Sequence, residues 1–163
     1  MKNTGIVRKI DELGRIVIPK EIRNVLKIDS YDDLEIYIDN NTIILKKYLY
    51  LENDKEYNNK LILSLSDLTN GNIYLSDKEK IITSGDLENS EINLFLKKVL
   101  VERSNYISTT CEEIIRNKKG YYIIKPIIKN SDAIGLIIII SNEKLDNNII
   151  FFSNVLKNLI EKN

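Results

Sequence analysis

The sequence predicts two domains: a small N-terminal unit of short strands with one short helix, then a larger α+β domain with an antiparallel sheet and flanking helices. Three observations carry that reading. Apolar residues alternate over short stretches up to residue 47, between turn signals. The texture changes across residues 48–55, where the apolar spacing becomes helical. Later strand patterns are joined by tight polar turns, a connection open to antiparallel neighbours but not to parallel ones. A chain of 163 residues has room for one or two small domains. Its 43% hydrophobic and 29% charged content is that of a packed protein rather than a disordered one.

In the N-terminal unit, Ile6, Arg8 and Ile10 alternate with Val7 and Lys9 as a first strand. Asp11-Glu12-Leu13-Gly14 is a turn signal, and Arg15-Ile16-Val17-Ile18 a second short strand stopped by Pro19. Proline suits the start of a helix, where its missing N–H matters least. Residues 20–27 follow with Ile22, Val25 and Leu26 at helical spacing. Leu34, Ile36 and Ile38 then form one face of a strand, with Glu35, Tyr37 and Asp39 on the other. Asp39-Asn40-Asn41-Thr42 turns the chain into a returning strand at 42–47. A lone unit of about 48 residues buries too little surface to be secure without a staple. It has neither a disulfide nor a set of metal ligands. An obligate dimer through this segment is the expectation.

The second domain opens with a helix over 52–65, with Tyr57, Leu61 and Leu65 in register. Residues 72–75 and 80–84 read as a strand pair around Asp77-Lys78-Glu79. Ser90 is the expected N-cap of a helix striped by Ile92, Phe95, Leu96, Val99 and Leu100, with Glu91 in its first turn. Residues 121–128 and 133–141 are strands joined by Lys129-Asn130-Ser131-Asp132, and the near-continuous apolar run 134–140 suits a strand covered on both faces. A final helix aligns Phe152, Val155, Leu156, Leu159 and Ile160.

Composition excludes several kinds of chemistry. The chain has no His, so Ser-His-Asp triads, His-assisted thiol nucleophiles and His-containing zinc sites are out. Its one Cys, Cys111, forms no internal disulfide, and its neighbours Glu112 and Glu113 favour an inert thiol over a redox sensor. The six glycines make no phosphate-binding loop. The expectation is a chain that is not an enzyme and uses no cofactor. The longest apolar run, 133–140, falls far short of the ~20 residues that span a bilayer. The N-terminus also lacks a signal-peptide core, so a cytoplasmic protein without a membrane role is expected.

The formal net charge of zero conceals a gradient. Residues 1–27 carry Lys2, Arg8, Lys9, Arg15, Lys20, Arg23 and Lys27 against Asp11, Glu12 and Glu21, a net +4 that a dimer would double. Three of the five arginines lie there. Arginine suits bidentate contact with phosphate and guanine edges, and a two-fold arrangement of such residues suits a two-fold DNA site. The alternative is a solvated face in which Asp11 and Glu12 pair the arginines.

The run from Thr4 to Arg23, with Gly5-Ile6-Val7-Arg8-Lys9-Ile10-Asp11-Glu12-Leu13-Gly14-Arg15-Ile16-Val17-Ile18-Pro19 at its heart, resembles the AbrB-type swapped-hairpin DNA-binding domain. Leu34-Glu35-Ile36-Tyr37 and Ile43-Ile44-Leu45-Lys46-Lys47-Tyr48 extend the likeness to about 48 residues. The resemblance implies a dimer whose chains exchange hairpins to complete one all-β barrel. It implies DNA contact through Arg8, Arg15 and Arg23, with Lys9 nearby. Relatives often carry a second Arg after the one matching Arg23; here Asn24 stands there, and no phosphate contact is carried onto it. The order and length of the second part, above all Lys125-Pro126-Ile127-Ile128 and Ala133-Ile134-Gly135, resemble the GAF domain of the stage V sporulation protein T family. That resemblance implies a homotetramer paired through helices that include the interdomain one, and a regulator of transcription in spore-forming bacteria. The domains are then 1–50, AbrB-like and DNA-binding, and 51–163, GAF-like and including the interdomain helix.

Three questions stay open at this point. GAF folds often hold a small molecule. Residues 106–121, with Ser108, Thr109, Thr110, Arg116 and Lys119, are the candidate ligand segment, and an ordinary solvated loop is the alternative. Leu63, Ile149 and Phe151 are left over from the helical stripes and become candidates for subunit contact. The rival function is an antitoxin-like DNA-binding protein that neutralises a toxin partner. Against it stands a C-terminal part patterned as a folded domain rather than as a disordered wrapping tail.

Overall fold

The computed structural model describes residues 4–66 and 71–162. Its chain divides into two compact units, Met1–Tyr48 and Leu49–Asn163. No described helix is long and apolar enough to cross a membrane.

The first unit holds one helix and one hairpin. Helix α1, Lys20–Leu26, starts directly after Pro19. It closes with Lys27 in the left-handed region at φ +52°. There the Ile28 amide donates to the Arg23 carbonyl (2.8 Å) and the Lys27 amide to the Asn24 carbonyl (3.3 Å), a Schellman closure. Strands β1, Leu34–Asp39, and β2, Thr42–Lys47, pair antiparallel around Asn40, which sits at φ +50°. Lys47 ties the end of this hairpin to the helix exit. Its ammonium donates to the Lys27 carbonyl (2.9 Å) and pairs with Asp32 (2.6 Å).

The expected strands at residues 6–10 and 15–18 are not strands within the chain. They flank a tight turn and have no ladder partner among the described residues. A strand needs a neighbour as well as an alternating pattern, because its N–H and C=O groups point sideways. The described part of this unit therefore contains one β-ladder, the β1–β2 hairpin, and no barrel. Its apolar residues are correspondingly open. Val7 is 85% exposed and Ile38 81%, and Ile28 is the one buried hydrophobic residue of this unit among those described. Register places Ile36 opposite Leu45 and Ile38 opposite Ile43, so the hairpin turns a whole apolar face outward.

The second unit is a three-layer α+β structure. Strands β3 (Gly71–Ser76), β4 (Tyr106–Ile107), β5 (Glu112–Ile115), β6 (Lys118–Lys129) and β7 (Asp132–Ser141) form an antiparallel sheet in the order β3-β7-β6-β4, with β5 also pairing β6. Alternation along the central strands divides the core between two faces. Tyr122 and Ile124 of β6 with Leu136, Ile138 and Ile140 of β7 pack under Leu96, Val99 and Leu100 of α4, Leu94–Glu102. Ile123 and Ile127 with Ile137 and Ile139 pack on the other face. Above them lie Leu51 of α2 (Tyr50–Asn53), Ile62 of α3 (Lys55–Ser66), and Leu156 and Ile160 of α5 (Asn147–Lys162). The strand read as covered on both faces is buried on both.

Three details correct the sequence reading. The helix expected over 52–65 is broken at Asp54 into α2 and α3. The cap of α4 is Asn93 rather than Ser90: the Asn93 side chain accepts from the Leu96 amide at 3.0 Å. Residues 90–92 are engaged elsewhere, with the Ser90 carbonyl accepting from Ile81 and the Ile92 amide donating to Glu79. The second strand of the expected 72–84 pair is reduced to isolated bridges, Ser76 with Ile81 and Lys80 with Glu91.

Candidate nucleic-acid interface

The basic residues of the first unit sit on three kinds of local structure. Arg8 and Lys9 lie on the exposed arm before the turn. Arg15 is the first residue after it, and Arg23 is on α1, half-buried. Lys2 lies outside the described residues. Among the described residues Arg8, Lys9 and Arg23 make no ion pair, and Arg8 donates only to the neighbouring Val7 carbonyl. Unpaired guanidinium and ammonium groups held by the backbone are free to meet an external anion.

Arg15 differs. The Gly14 amide donates to the Asp11 carbonyl and the Asp11 amide to the Arg15 carbonyl, both at 3.0 Å, with Gly14 at φ +76°. That is a three-residue hairpin loop whose last position needs the left-handed conformation, which glycine takes without steric cost. The Asp11 carboxylate fills the loop. Oδ1 accepts from the Leu13 amide (3.0 Å) and the Arg15 amide (2.8 Å), while Oδ2 accepts from Arg15 Nε at 2.7 Å. The Arg15 amide and guanidinium both hold the Asp11 carboxyl below its ordinary value, so it is charged at neutral pH. Half of the solvated-face alternative is therefore real: Asp11 pairs Arg15. Glu12 has no ion pair among the described residues. The sequence showed Asp11 as a turn residue and as a charge, but its contact with Nε follows from the hairpin geometry. Asn24 is exposed and lends its carbonyl to the helix exit.

In the second unit, the candidate ligand segment is occupied with the sheet's own bonding. Ser108 is buried; its amide donates to the Tyr122 carbonyl and its hydroxyl accepts from the Tyr122 amide. Glu112 accepts from the Tyr106 and Thr110 hydroxyls, and its bond and charge push the Tyr106 phenol up to about 12. Cys111 is exposed. Leu63 and Phe151 are open to solvent, while Ile149 packs against the core.

Comparison with known proteins matches two families. Residues 7–50 match the family described as "Antidote-toxin recognition MazE, bacterial antitoxin". Residues 53–154 match "Stage V sporulation protein T C-terminal, transcription factor". Stage V sporulation protein T of Bacillus subtilis is 34% identical over 155 residues, covering 88% of this chain and 87% of its own. The chain belongs to the stage V sporulation protein T family. Its N-terminal unit is also 67% identical over 48 residues to the transition state regulatory protein AbrB of the same organism, spanning 29% of this chain and 50% of that protein. A solution structure of AbrB's N-terminal DNA recognition domain matches the same share of this chain and 91% of its own, at a TM-score of 0.27. A methyl-accepting chemotaxis protein fragment, 12% identical, covers 66% of this chain and 86% of its own at a TM-score of 0.52. That last likeness is one of fold alone.

Proposed function

We propose that this chain is a DNA-binding regulator of transcription, in sporulation or the transition to it, that docks through its domain 1–50. In this reading two copies exchange their N-terminal hairpins to complete one barrel, and Arg8, Lys9, Arg15 and Arg23 of each copy meet double-stranded DNA. The observation that carries it is the pairing of an apolar hairpin face open to solvent with unpaired cations on the same 48-residue unit. A second copy covers the first feature, and a polyanion answers the second. Identity to AbrB over this unit supports the same assignment. Phosphate contacts set the register on the duplex, and groove shape and flexibility supply much of the selectivity.

Domain 51–163, read as GAF-like, joins dimers into a homotetramer. The exposed stripe Phe151, Val155 and Leu159 on α5, with Leu63 on α3, supports pairing through these helices. Two linked dimers then gain avidity on paired sites. The rival antitoxin reading shares the MazE description of residues 7–50. The two-faced core of residues 51–163 favours the regulator, because a toxin-wrapping tail has no such core. Limited proteolysis separates them: a resistant C-terminal core supports the regulator, and rapid loss of everything after Tyr48 supports the antitoxin.

The direct test is binding to A/T-rich duplexes across a salt series, with Arg15→Ala alongside. The expected result is sub-micromolar binding that weakens with a log–log slope of about −0.9 per phosphate contacted, and is lost in the variant. No binding by the wild type, or equal binding by the variant, contradicts the reading.

A further inference from the structure

We propose that Asp11 is a positioning residue that aims the Arg15 guanidinium and thereby sets sequence discrimination, an inference that rests on the DNA-docking reading above. Its carboxylate does two jobs at once. Oδ1 closes the loop on the Leu13 and Arg15 amides, and Oδ2 holds Nε of Arg15 at 2.7 Å. The loop fixes where the arginine begins, and the Nε bond fixes where its plane points. An exposed arginine otherwise samples many rotamers, and that freedom is lost on every productive contact.

The choice of nitrogen matters. With Nε engaged, the two terminal nitrogens remain as a parallel fork, the edge that reads guanine O6 and N7 or grips a phosphate. The Arg15 side chain is still 71% exposed in this pair, so the fork is presented outward. Asp11 also adds one negative charge to a surface that must approach a polyanion. A residue serving affinity alone would be misplaced there; one serving selection is not, because it weakens indiscriminate phosphate contact while preserving an aimed one.

This assigns opposite signs to two affinities. Asp11→Asn retains an oxygen for the Leu13 and Arg15 amides, so the loop closes, but it removes the charge and presents an amide N–H or a weaker acceptor to Nε. The experiment measures the full chain on two duplexes: one enriched by the wild type from a random-sequence pool, and one of the same composition with its sequence shuffled. For Asp11→Asn, affinity for the shuffled duplex holds or rises and affinity for the enriched duplex falls, lowering discrimination about tenfold, the scale of one bidentate base contact. In an Arg15→Lys background the Asp11→Asn change leaves discrimination unmoved, as a double-mutant cycle requires if Asp11 acts through Arg15. Arg15→Lys, which keeps the charge but has no fork, loses discrimination by a similar factor and serves if Asp11→Asn does not fold, as read by circular dichroism.

Three results overturn the proposal and leave DNA docking standing. Equal loss on both duplexes makes Asp11 a purely structural turn residue. Equal gain on both makes it only a negative charge in the field. Unchanged discrimination in Arg15→Lys removes the need for an aimed fork. A wild type that enriches no sequence and binds neither duplex overturns DNA docking itself, and the role of Asp11 with it.

Discussion

The two units of this chain solve the burial problem in opposite ways. Residues 49–163 enclose their own core: the central strands β6 and β7 are covered by α4 on one face and by α3 and α5 on the other. Residues 1–48 leave Val7, Val17, Ile36, Ile38 and Ile43 in solvent and bury Ile28 alone among the described hydrophobic residues. The difference follows from size and pairing. A unit of about 48 residues has too much surface for its volume, and its strand-like stretches at 6–10 and 15–18 find no ladder among the described residues. One unit encloses its core, and the other leaves its apolar face open. The proposed pairing with a second copy would suit DNA recognition, since it would generate two-fold symmetry and double the +4 charge of residues 1–27.

The largest expected effect lies at Gly135 in β7. A Cβ there meets the Ser76 carbonyl oxygen at 2.0 Å and Leu51 Cδ1 at 2.6 Å. The first contact is backbone of β3, the strand hydrogen-bonded to β7, and it has little room to move. Gly135→Ala costs roughly 3 kcal/mol or more and strips unit two of its cooperative melt in calorimetry. Next come two changes that sharpen the contrast. Leu136→Ala, at a fully buried position, lowers stability by about 2–5 kcal/mol at every protein concentration. Ile38→Ser, at an exposed position of the single chain, would shift stability by less than about 0.5 kcal/mol if that face stayed in water. With a second copy covering it, the same change raises the dimer dissociation constant at least tenfold and makes melting strongly concentration-dependent.

A smaller effect is expected at Lys125. This lysine is buried on the α5 face of β6, opposite Ile137, with its ammonium donating to the Asn154 side chain. Burial, reinforced by the charge of Lys157, lowers its pKa. A depressed lysine penalises the fold in full below its folded pKa, and the penalty fades as pH rises from there to the ordinary lysine value. Lys125→Met therefore raises the melting temperature by a few degrees at pH 7, and the gain over wild type shrinks toward pH 10. The smallest effect is at Asp11. Its carboxyl is depressed, so the bond to Arg15 holds above the ordinary aspartate range and is lost only as pH falls through the lowered value. DNA discrimination measured between pH 8 and 6 stays constant.

Legibility in the sequence followed the same divide. The apolar-rich stretch 121–128, the polar turn after it and the near-continuous apolarity at 134–140 revealed β6 and β7, because both strands find their partners within the chain. The alternation at 6–10 was equally clear and gave no strand there, because pairing is not a property of a single segment. Asn93 outcompeted Ser90 as the cap of α4 because residues 90–92 were drawn into bonds with Glu79 and Ile81, a tertiary demand invisible in local propensity. The basic cluster stood out as charge concentration. Which of its members has a carboxylate partner did not, since the Asp11–Arg15 bond depends on a loop closed by Gly14 in the left-handed region. Lys125 read as one more strand residue, and only the packing of α5 makes it a buried charge.

The central claim is that unit one is completed by a second copy of itself. Sedimentation equilibrium of residues 1–48, run from high to low micromolar with circular dichroism on the same samples, tests it most directly. Twice the sequence mass is expected wherever the spectrum is folded, with dissociation and unfolding coinciding on dilution. A folded species at the single-chain mass would contradict it.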